Sequence, residues 1–234
     1  MNVAVSTNFV IAPPAVVAVP VRGLAARFPV RRIYCVGRNY AAHAIEMGSD
    51  PNREPPFFFQ KNPDNLVLGG ADFPYPPQSK NVHHEIEMVV AIGKGGRDIP
   101  LARALDHVYG YALGLDMTRR DLQEDCKKGG RPWEIGKAFE HSAPMTDIVP
   151  ASEVGHPDHG EIWLKVNGEL RQKGDLNQLI WKVPEMIAYL SAAFELQGGD
   201  LIFSGTPSGV AAIKRGDVME GHCEGIGRLV AKVG

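Results

Sequence analysis

The run His83-His84-Glu85-Ile86-Glu87-Met88-Val89-Val90-Ala91-Ile92 constrains the fold more than any other stretch of the chain. Its residues alternate: His84, Ile86, Met88, Val90 and Ile92 fall on one face, and His83, Glu85, Glu87, Val89 and Ala91 on the other. Period-two alternation rich in branched side chains predicts a half-buried β-strand. Residues i and i+2 of a strand project from one face about 7 Å apart, so Glu85 and Glu87 converge on one spot beside apolar surface. Two carboxylates held that close repel, and one pKa rises unless a cation neutralises them. Hard oxygen donors suit Mg²⁺, Mn²⁺ or Ca²⁺. The pattern alone leaves two readings open, a divalent-metal site or a polar face turned to solvent.

Composition narrows the classes. A chain of 234 residues is long enough for one sizeable domain with a short appendage. A formal charge of -2 gives no sign of a nucleic-acid-binding surface. Cys35, Cys126 and Cys223 are widely spaced and form no Cys-x-x-Cys, so neither a disulfide framework nor structural zinc is expected. A reducing, cytoplasmic location fits that usage. The apolar start, residues 1–21, is interrupted by Pro13, Pro14 and Pro20 and has no basic segment before it. It reads as neither a signal peptide nor a membrane span.

Along the chain, residues 1–30 are expected to form an extended arm with strand pieces. Strands are predicted at 32–36, 56–60, 108–115, 161–166, 169–172, 201–204, 217–220 and 227–233. Helical turns are predicted at 39–47, closed by Gly48, and at 101–106 and 118–127, with 50–56 a loop able to act as a flap. Asn167-Gly168 signals a type I′ hairpin. Pro184 opens a helix running to about Leu196, with Ile187, Leu190 and Phe194 as its core stripe. Many short strands in no strict βαβ order point to an α+β fold, a mixed β-sandwich roll with short peripheral helices.

Several polar residues stand out. Asp116 ends an apolar strand, where it either joins Glu85 and Glu87 or caps the following helix. Three carboxylates suit Mg²⁺ or Mn²⁺ better than zinc, which prefers nitrogen or sulfur. His43 and Glu46 stand three apart, one helical face, as a general-base pair or as an exposed surface pair. Lys137 is a lone cation among apolar neighbours, able to hold an anion or simply to snorkel. The turn Gly205-Thr206-Pro207-Ser208-Gly209 is no nucleotide loop, because no Lys-Ser/Thr follows it. Its N–H groups and the Thr206 hydroxyl could bind an oxyanion, or it is a plain tight turn. His156 and His159 are expected to be solvated.

These stretches, taken in order, carry a resemblance. Tyr34-Cys35-Val36-Gly37-Arg38-Asn39-Tyr40 precedes His43 and Glu46. His84-Glu85-Ile86-Glu87, Gly114-Leu115-Asp116-Met117-Thr118, Arg120-Asp121, Gly136-Lys137 and Gly205-Thr206-Pro207-Ser208-Gly209-Val210 follow. From about Arg31 onward the chain resembles the fumarylacetoacetate hydrolase superfamily, in its short acylpyruvase/fumarylpyruvate hydrolase branch. The resemblance implies that Glu85, Glu87 and Asp116 hold Mg²⁺ or Mn²⁺, and that His43 and Glu46, on a lid helix, activate water. It implies that Lys137 is catalytic and that Arg38, Arg120, Gln123 and Thr206 bind substrate. It further implies a catalytic domain over 31–234, usually dimeric, and no catalytic role for residues 1–30.

The activity so implied is hydrolysis of a C–C bond in a 2,4-diketo acid, giving pyruvate and a carboxylic acid, as in aromatic-compound catabolism. Fumarylpyruvate or maleylpyruvate are the substrates expected, on the aromatic run Pro55-Pro56-Phe57-Phe58-Phe59-Gln60 and the match to the short branch. Oxaloacetate decarboxylation needs the same enolate stabilisation without a water, and isomerase or hydratase chemistry also occurs in the superfamily. A non-catalytic, metal-stabilised binding protein is the reading from another class, and the His43/Glu46 pair argues against it.

Overall fold

The strand expected at 83–92 lies at the centre of the molecule, but both of its faces are buried. The computed structural model describes residues 9–46 and 54–234. The expected helix end at Met47 and Gly48, the start of the arm and most of the 50–56 loop lie outside the described residues. The regular elements that position the site are β1 (Arg32–Gly37), α1 (Ala41–Glu46), β2 (Phe57–Lys61), β3 (Ile86–Ile92) and β4 (Val108–Leu115). They continue with α2 (Arg120–Lys128), α3 (Glu134–Lys137), β5 (Val149–Pro150), β6 (Glu161–Val166) and β7 (Glu169–Asp175). The last are α4 (Val183–Ala193), β8 (Asp200–Phe203), β9 (Val218–Cys223) and β10 (Gly227–Lys232).

The main sheet is six-stranded, in the order β5-β4-β3-β8-β1-β2. The β8–β1 pair is parallel and the other pairs are antiparallel. A four-stranded antiparallel sheet, β7-β6-β9-β10, packs on one face. On that side Ile86, Met88, Val90 and Ile92 meet Ile162, Leu164, Met219 and the α4 residues Met186, Ile187 and Leu190 in one core. On the other side Val89 and Ala91 join Val19, Phe28 and Ile148 in a second core. The alternation of β3 is therefore a division between two cores rather than between core and solvent. A second covering layer is invisible to the pattern of a single strand.

Part of that second core comes from the region expected to be an arm. Residues 18–20 and 27–29 pair as an antiparallel hairpin and bury Val19 and Phe28.

Several boundaries differ from the sequence reading. Val82–His83 is a separate short strand pairing with 212–213 and 118–119, so β3 proper begins at Ile86, after a break at His84 and Glu85. That pairing also claims Thr118 and Arg119, and α2 starts at Arg120 rather than 118. The 101–107 segment is a 3₁₀ helix. Helix α4 stops at Ala193, and Phe194 turns extended (φ −134°). Phe194 thus leaves the core stripe, is 37% exposed and stacks against Tyr34 at 5.4 Å. Met186 and Val183 fill the stripe instead. The hairpin turn formed as expected, with Asn167 and Gly168 both at positive φ (53° and 82°).

Met88 is fully buried at the centre of β3. Replacing it with alanine removes methylene packing and leaves a cavity between two fixed sheets, which costs about 2–5 kcal/mol. Met88→Ala is expected to lower the unfolding free energy by that amount, read in urea denaturation as a lower midpoint at an unchanged m-value.

Candidate active site

The acidic cluster forms where β3, β4 and the 205–209 turn meet. Glu85 precedes β3, Glu87 lies within it, and Asp116 follows β4, which pairs with β3 through Glu87 and Gly114. Ligand oxygens of Glu85, Glu87 and Asp116 lie within 4.8 Å of one another. The three residues are 4%, 2% and 1% exposed, so the solvent-face reading of the two glutamates fails. Asp116 caps no helix, because α2 begins four residues later and its N-terminus has no side-chain cap.

Three cations from three elements meet these acids. Lys137, at the end of α3, donates to Glu85 Oε2 and Asp116 Oδ2, each at 2.8 Å. Arg120, at the start of α2, donates to Glu85 Oε1, and its other Nη donates to Gln123 Oε1 at 2.7 Å. Lys61, at the end of β2, sits 2.9 Å from Asp116 Oδ1 and donates to Ser142 Oγ and to the carbonyls of Met117 and Lys137. Lys137 is 2% exposed, so it does not snorkel.

The electrostatics of the two glutamates diverge. Burial alone pushes Glu85 up, but the adjacent Lys137 and Arg120 outweigh it and hold the carboxyl below its ordinary value. Glu87 lacks such a cation. Burial, with the carboxylates of Asp116 and Glu85 added, pushes it well above its ordinary value, and the Gly205 N–H at 2.7 Å opposes that only in part. Burial likewise lowers Lys137, while Asp116 and Glu85 more than reverse the effect. Glu87 is thus the member of the triad that no side-chain cation pairs among the described residues, and three hard oxygen donors within 4.8 Å of one another fit a divalent cation.

His43 reaches the same cavity from α1, where it is 6% exposed rather than on an open surface. Its Nδ1 lies 3.1 Å from Glu46 Oε2, and the Glu46 carboxylate also accepts the Gly209 N–H at 3.0 and 3.1 Å. The dyad is thereby tied to the glycine turn. Two N–H groups of that turn, those of Gly205 and Gly209, are taken by Glu87 and Glu46, so they are not open donors for an oxyanion as the sequence allowed. The positive φ of Gly205 (100°) and the 2.6 Å at which a Cβ there would meet Asn39 explain why this position needs glycine.

Thr206 is held by Gln172 of β7. The Ile86 N–H can only donate, and at 3.2 Å it identifies Gln172 Oε1; the Pro207 carbonyl can only accept, and at 2.8 Å it identifies Nε2. His84 Nδ1 must then donate to Oε1, at 2.8 Å, and Thr206 Oγ1 must accept from Nε2, at 2.8 Å. The Thr206 hydroxyl hydrogen is left for the cavity. Burial lowers the His84 pKa, which keeps that imidazole neutral and supportive. His156, expected in solvent, is exposed but bonds the Tyr111 hydroxyl at 2.8 Å.

Of the ten residues singled out from the sequence, nine line this cavity of about 30 Å³, and the tenth, Glu46, is hydrogen-bonded to His43. Val36, Gly37, Phe57, Phe59, Trp133 and Lys127 complete the wall. A larger cavity of about 370 Å³, lined by Arg22, Thr146, Asp147 and Arg228, includes none of them. The sequence reading missed Lys61, Lys127 and Gln172. Period two from Phe57 and Phe59 leads to Lys61, and helical spacing from Arg120 and Gln123 leads to Lys127. Gln172 comes from the other sheet, and no local pattern announces it.

A two-layered roll of mixed sheets with a buried carboxylate triad and an adjoining His–Glu dyad defines a class of protein, and the comparisons name it. The fumarylacetoacetate (FAA) hydrolase C-terminal family model matches residues 32–234. The chain belongs to the fumarylacetoacetate hydrolase superfamily. It is 57% identical to a fumarylpyruvate hydrolase from Pseudomonas aeruginosa, solved in complex with Mn²⁺ and pyruvate, with a TM-score of 0.95 over 97% of this chain and 99% of that one. It is also 45% identical over 203 residues to a mouse mitochondrial oxaloacetate tautomerase, FAHD1, covering 87% of this chain and 91% of the relative. A mitochondrial oxaloacetate decarboxylase from Dictyostelium discoideum is 42% identical over 190 residues, 81% of this chain and 87% of the relative. No helix among the described residues is long and apolar enough to cross a membrane.

Removing Lys61 leaves Asp116 buried with a single cation. Lys61→Met is expected to cost about 3–5 kcal/mol, the usual penalty for breaking one side of a buried pair. Adding Asp116→Asn should return much of it, and a double-mutant cycle by chemical denaturation without metal measures the coupling.

Proposed function

We propose that the protein is a divalent-metal-dependent hydrolase that cleaves acylpyruvates to pyruvate and a carboxylic acid, with fumarylpyruvate or maleylpyruvate as its substrate. The observation that carries this reading is the His43–Glu46 dyad on the wall of the cavity that holds the acid triad. Decarboxylation of a keto acid needs no base aimed into the site, whereas hydrolysis needs one to activate water. The 57% identity to the Pseudomonas aeruginosa fumarylpyruvate hydrolase supports the same reading.

Glu85, Glu87 and Asp116 are the residues that would hold Mg²⁺ or Mn²⁺. When bound, the ion supplies charge stabilisation for the enolate that leaves when an acylpyruvate is cleaved. His43 takes a proton from water, and Glu46, accepting at Nδ1, fixes the tautomer with Nε2 free to act as base. The hydroxide so formed attacks C4 of the diketo acid, the C3–C4 bond breaks with its electron pair passing to the released three-carbon enolate, and the proton held by His43 is delivered to C3 to give pyruvate. The acyl half leaves as a carboxylate. Thr206, with its hydroxyl hydrogen directed to the cavity by Gln172, donates to the 1-carboxylate of the substrate. Arg120 and Gln123 orient the keto acid, and Lys137 offsets the charge that builds during cleavage. Buried, unpaired cysteines are consistent with a cytoplasmic setting, and a homodimer is the expected assembly.

The likeness to the mouse oxaloacetate tautomerase favours a second reading, keto–enol or decarboxylation chemistry on oxaloacetate, in which the same acids act without an attacking water. Pyruvate release from acylpyruvates and from oxaloacetate, measured with Mn²⁺, separates the two. His43→Ala is expected to lower kcat for acylpyruvate cleavage by about 10²- to 10⁴-fold, while oxaloacetate decarboxylation persists. Absence of acylpyruvate cleavage alongside rapid oxaloacetate tautomerisation or decarboxylation would establish the second reading. In calorimetric titration, Glu87→Gln is expected to weaken Mn²⁺ binding by more than the ~10- to 100-fold that loss of an outer partner costs.

A further inference from the structure

The cavity holds more cations than its acids engage. Lys61, Lys137 and Arg120 are each bound to Glu85 or Asp116. Arg38 and Lys127 line the same cavity and make no hydrogen bond or ion pair with any acid among the described residues. The Nε of Arg38 is buried without a partner.

Both cations rest on aromatic rings. The Arg38 guanidinium lies 5.5 Å from the Phe57 ring centroid and the Lys127 ammonium 5.3 Å from that of Trp133. The two rings meet edge to face at 5.3 Å, which makes one continuous wall. Aromatic faces hold a cation in place without cancelling its charge. The wall is also built with care at the backbone. Gly37 precedes Arg38, and a Cβ there would fall 2.0 Å from Phe57, so only glycine lets the ring lie against the strand end. Arg38 itself takes a left-handed conformation (φ 56°), uncommon outside glycine, which points to a position fixed by its surroundings. Lys127 follows Arg120 and Gln123 at helical spacing, so one face of α2 serves the acid cluster at its start and the aromatic wall at its end. Burial, and after it the guanidiniums of Arg120 and Arg38, push the Lys127 ammonium below its ordinary value. An anion between the two cations relieves that repulsion.

We propose that Arg38 and Lys127 form a subsite for a second carboxylate, the one at the far end of a dicarboxylic acyl chain, and so select dianionic over monoanionic acylpyruvates. The proposal rests on the hydrolase reading for its substrate class, and adds the residues that choose the acyl group. The Phe57–Trp133 pair gives the unsaturated carbon chain an apolar face on the way to that carboxylate.

The test compares fumarate with crotonate, which keeps the four-carbon alkene and lacks one carboxylate. Calorimetric titration of the Mn²⁺-loaded protein is expected to show fumarate bound about 10- to 100-fold more tightly, the worth of a charge-assisted hydrogen bond or two. Lys127→Met, at the exposed end of α2, and Arg38→Met should each reduce that ratio about 10-fold, with Arg38→Lys retaining more of it than Arg38→Met. In turnover, both Met variants should raise the ratio of KM for fumarylpyruvate to KM for acetylpyruvate by a similar factor. Equal binding of fumarate and crotonate by the wild-type protein, or a ratio that neither Met variant changes, overturns the subsite. Failure of the hydrolase reading shows differently, as no pyruvate from either acylpyruvate, and the two-ligand ratio does not depend on turnover.

Discussion

Everything in this molecule depends on keeping three carboxylates together out of water. Left alone, such a cluster is unstable, because desolvation and mutual repulsion both favour protonation. The chain resolves this by bringing a lysine from β2, an arginine from α2 and a lysine from α3 to Glu85 and Asp116. Glu87 is left with a single backbone N–H and an elevated pKa. Buried ion clusters are poor sources of stability compared with well-packed apolar residues. Their retention here makes sense as preorganised charge for a reaction, and the two cores flanking β3 provide the rigidity that holds it.

The elements fit that task by simple geometric rules. Glu87 on β3 and Glu85 just before the strand converge on one spot, and period two on β2 takes the same face from Phe57 and Phe59 to Lys61. Helical spacing on α2 does the same for Arg120, Gln123 and Lys127. Polar residues remote in sequence then lock the parts together. Gln172 fixes the Thr206 hydroxyl, and Gly209 fixes Glu46. The acids and their cations would serve any reaction passing through an enolate, which is why one fold carries hydrolases, tautomerases and decarboxylases. On the proposed reading, His43 on α1 and the aromatic, cationic wall of the same cavity would be the parts that choose among them.

Much of this was legible in the sequence, and the exceptions have physical reasons. Glu85, Glu87 and Asp116 were found because strand alternation and strand ends are local signals. Lys61 was overlooked because a lysine after an aromatic strand reads as a surface residue until a second element covers it. The double burial of β3 was missed for the same reason, since the alternation of one strand does not reveal what packs on either side. Thr118 and Arg119 pair with 82–83 as strand, a tertiary contact that overrides their place in a helical run. Phe194 continued the stripe of α4 by spacing, yet its backbone turns extended one residue past the helix.

Anomalous diffraction from crystals of the protein grown with Mn²⁺ tests the central claim most directly. A single strong peak is expected within about 2.0–2.6 Å of carboxylate oxygens from Glu85, Glu87 and Asp116 together, as hard cations bind, with His43 facing it across the cavity. A peak bound elsewhere, or an acid cluster that stays fully occupied by Lys61, Arg120 and Lys137 at saturating Mn²⁺, would contradict it.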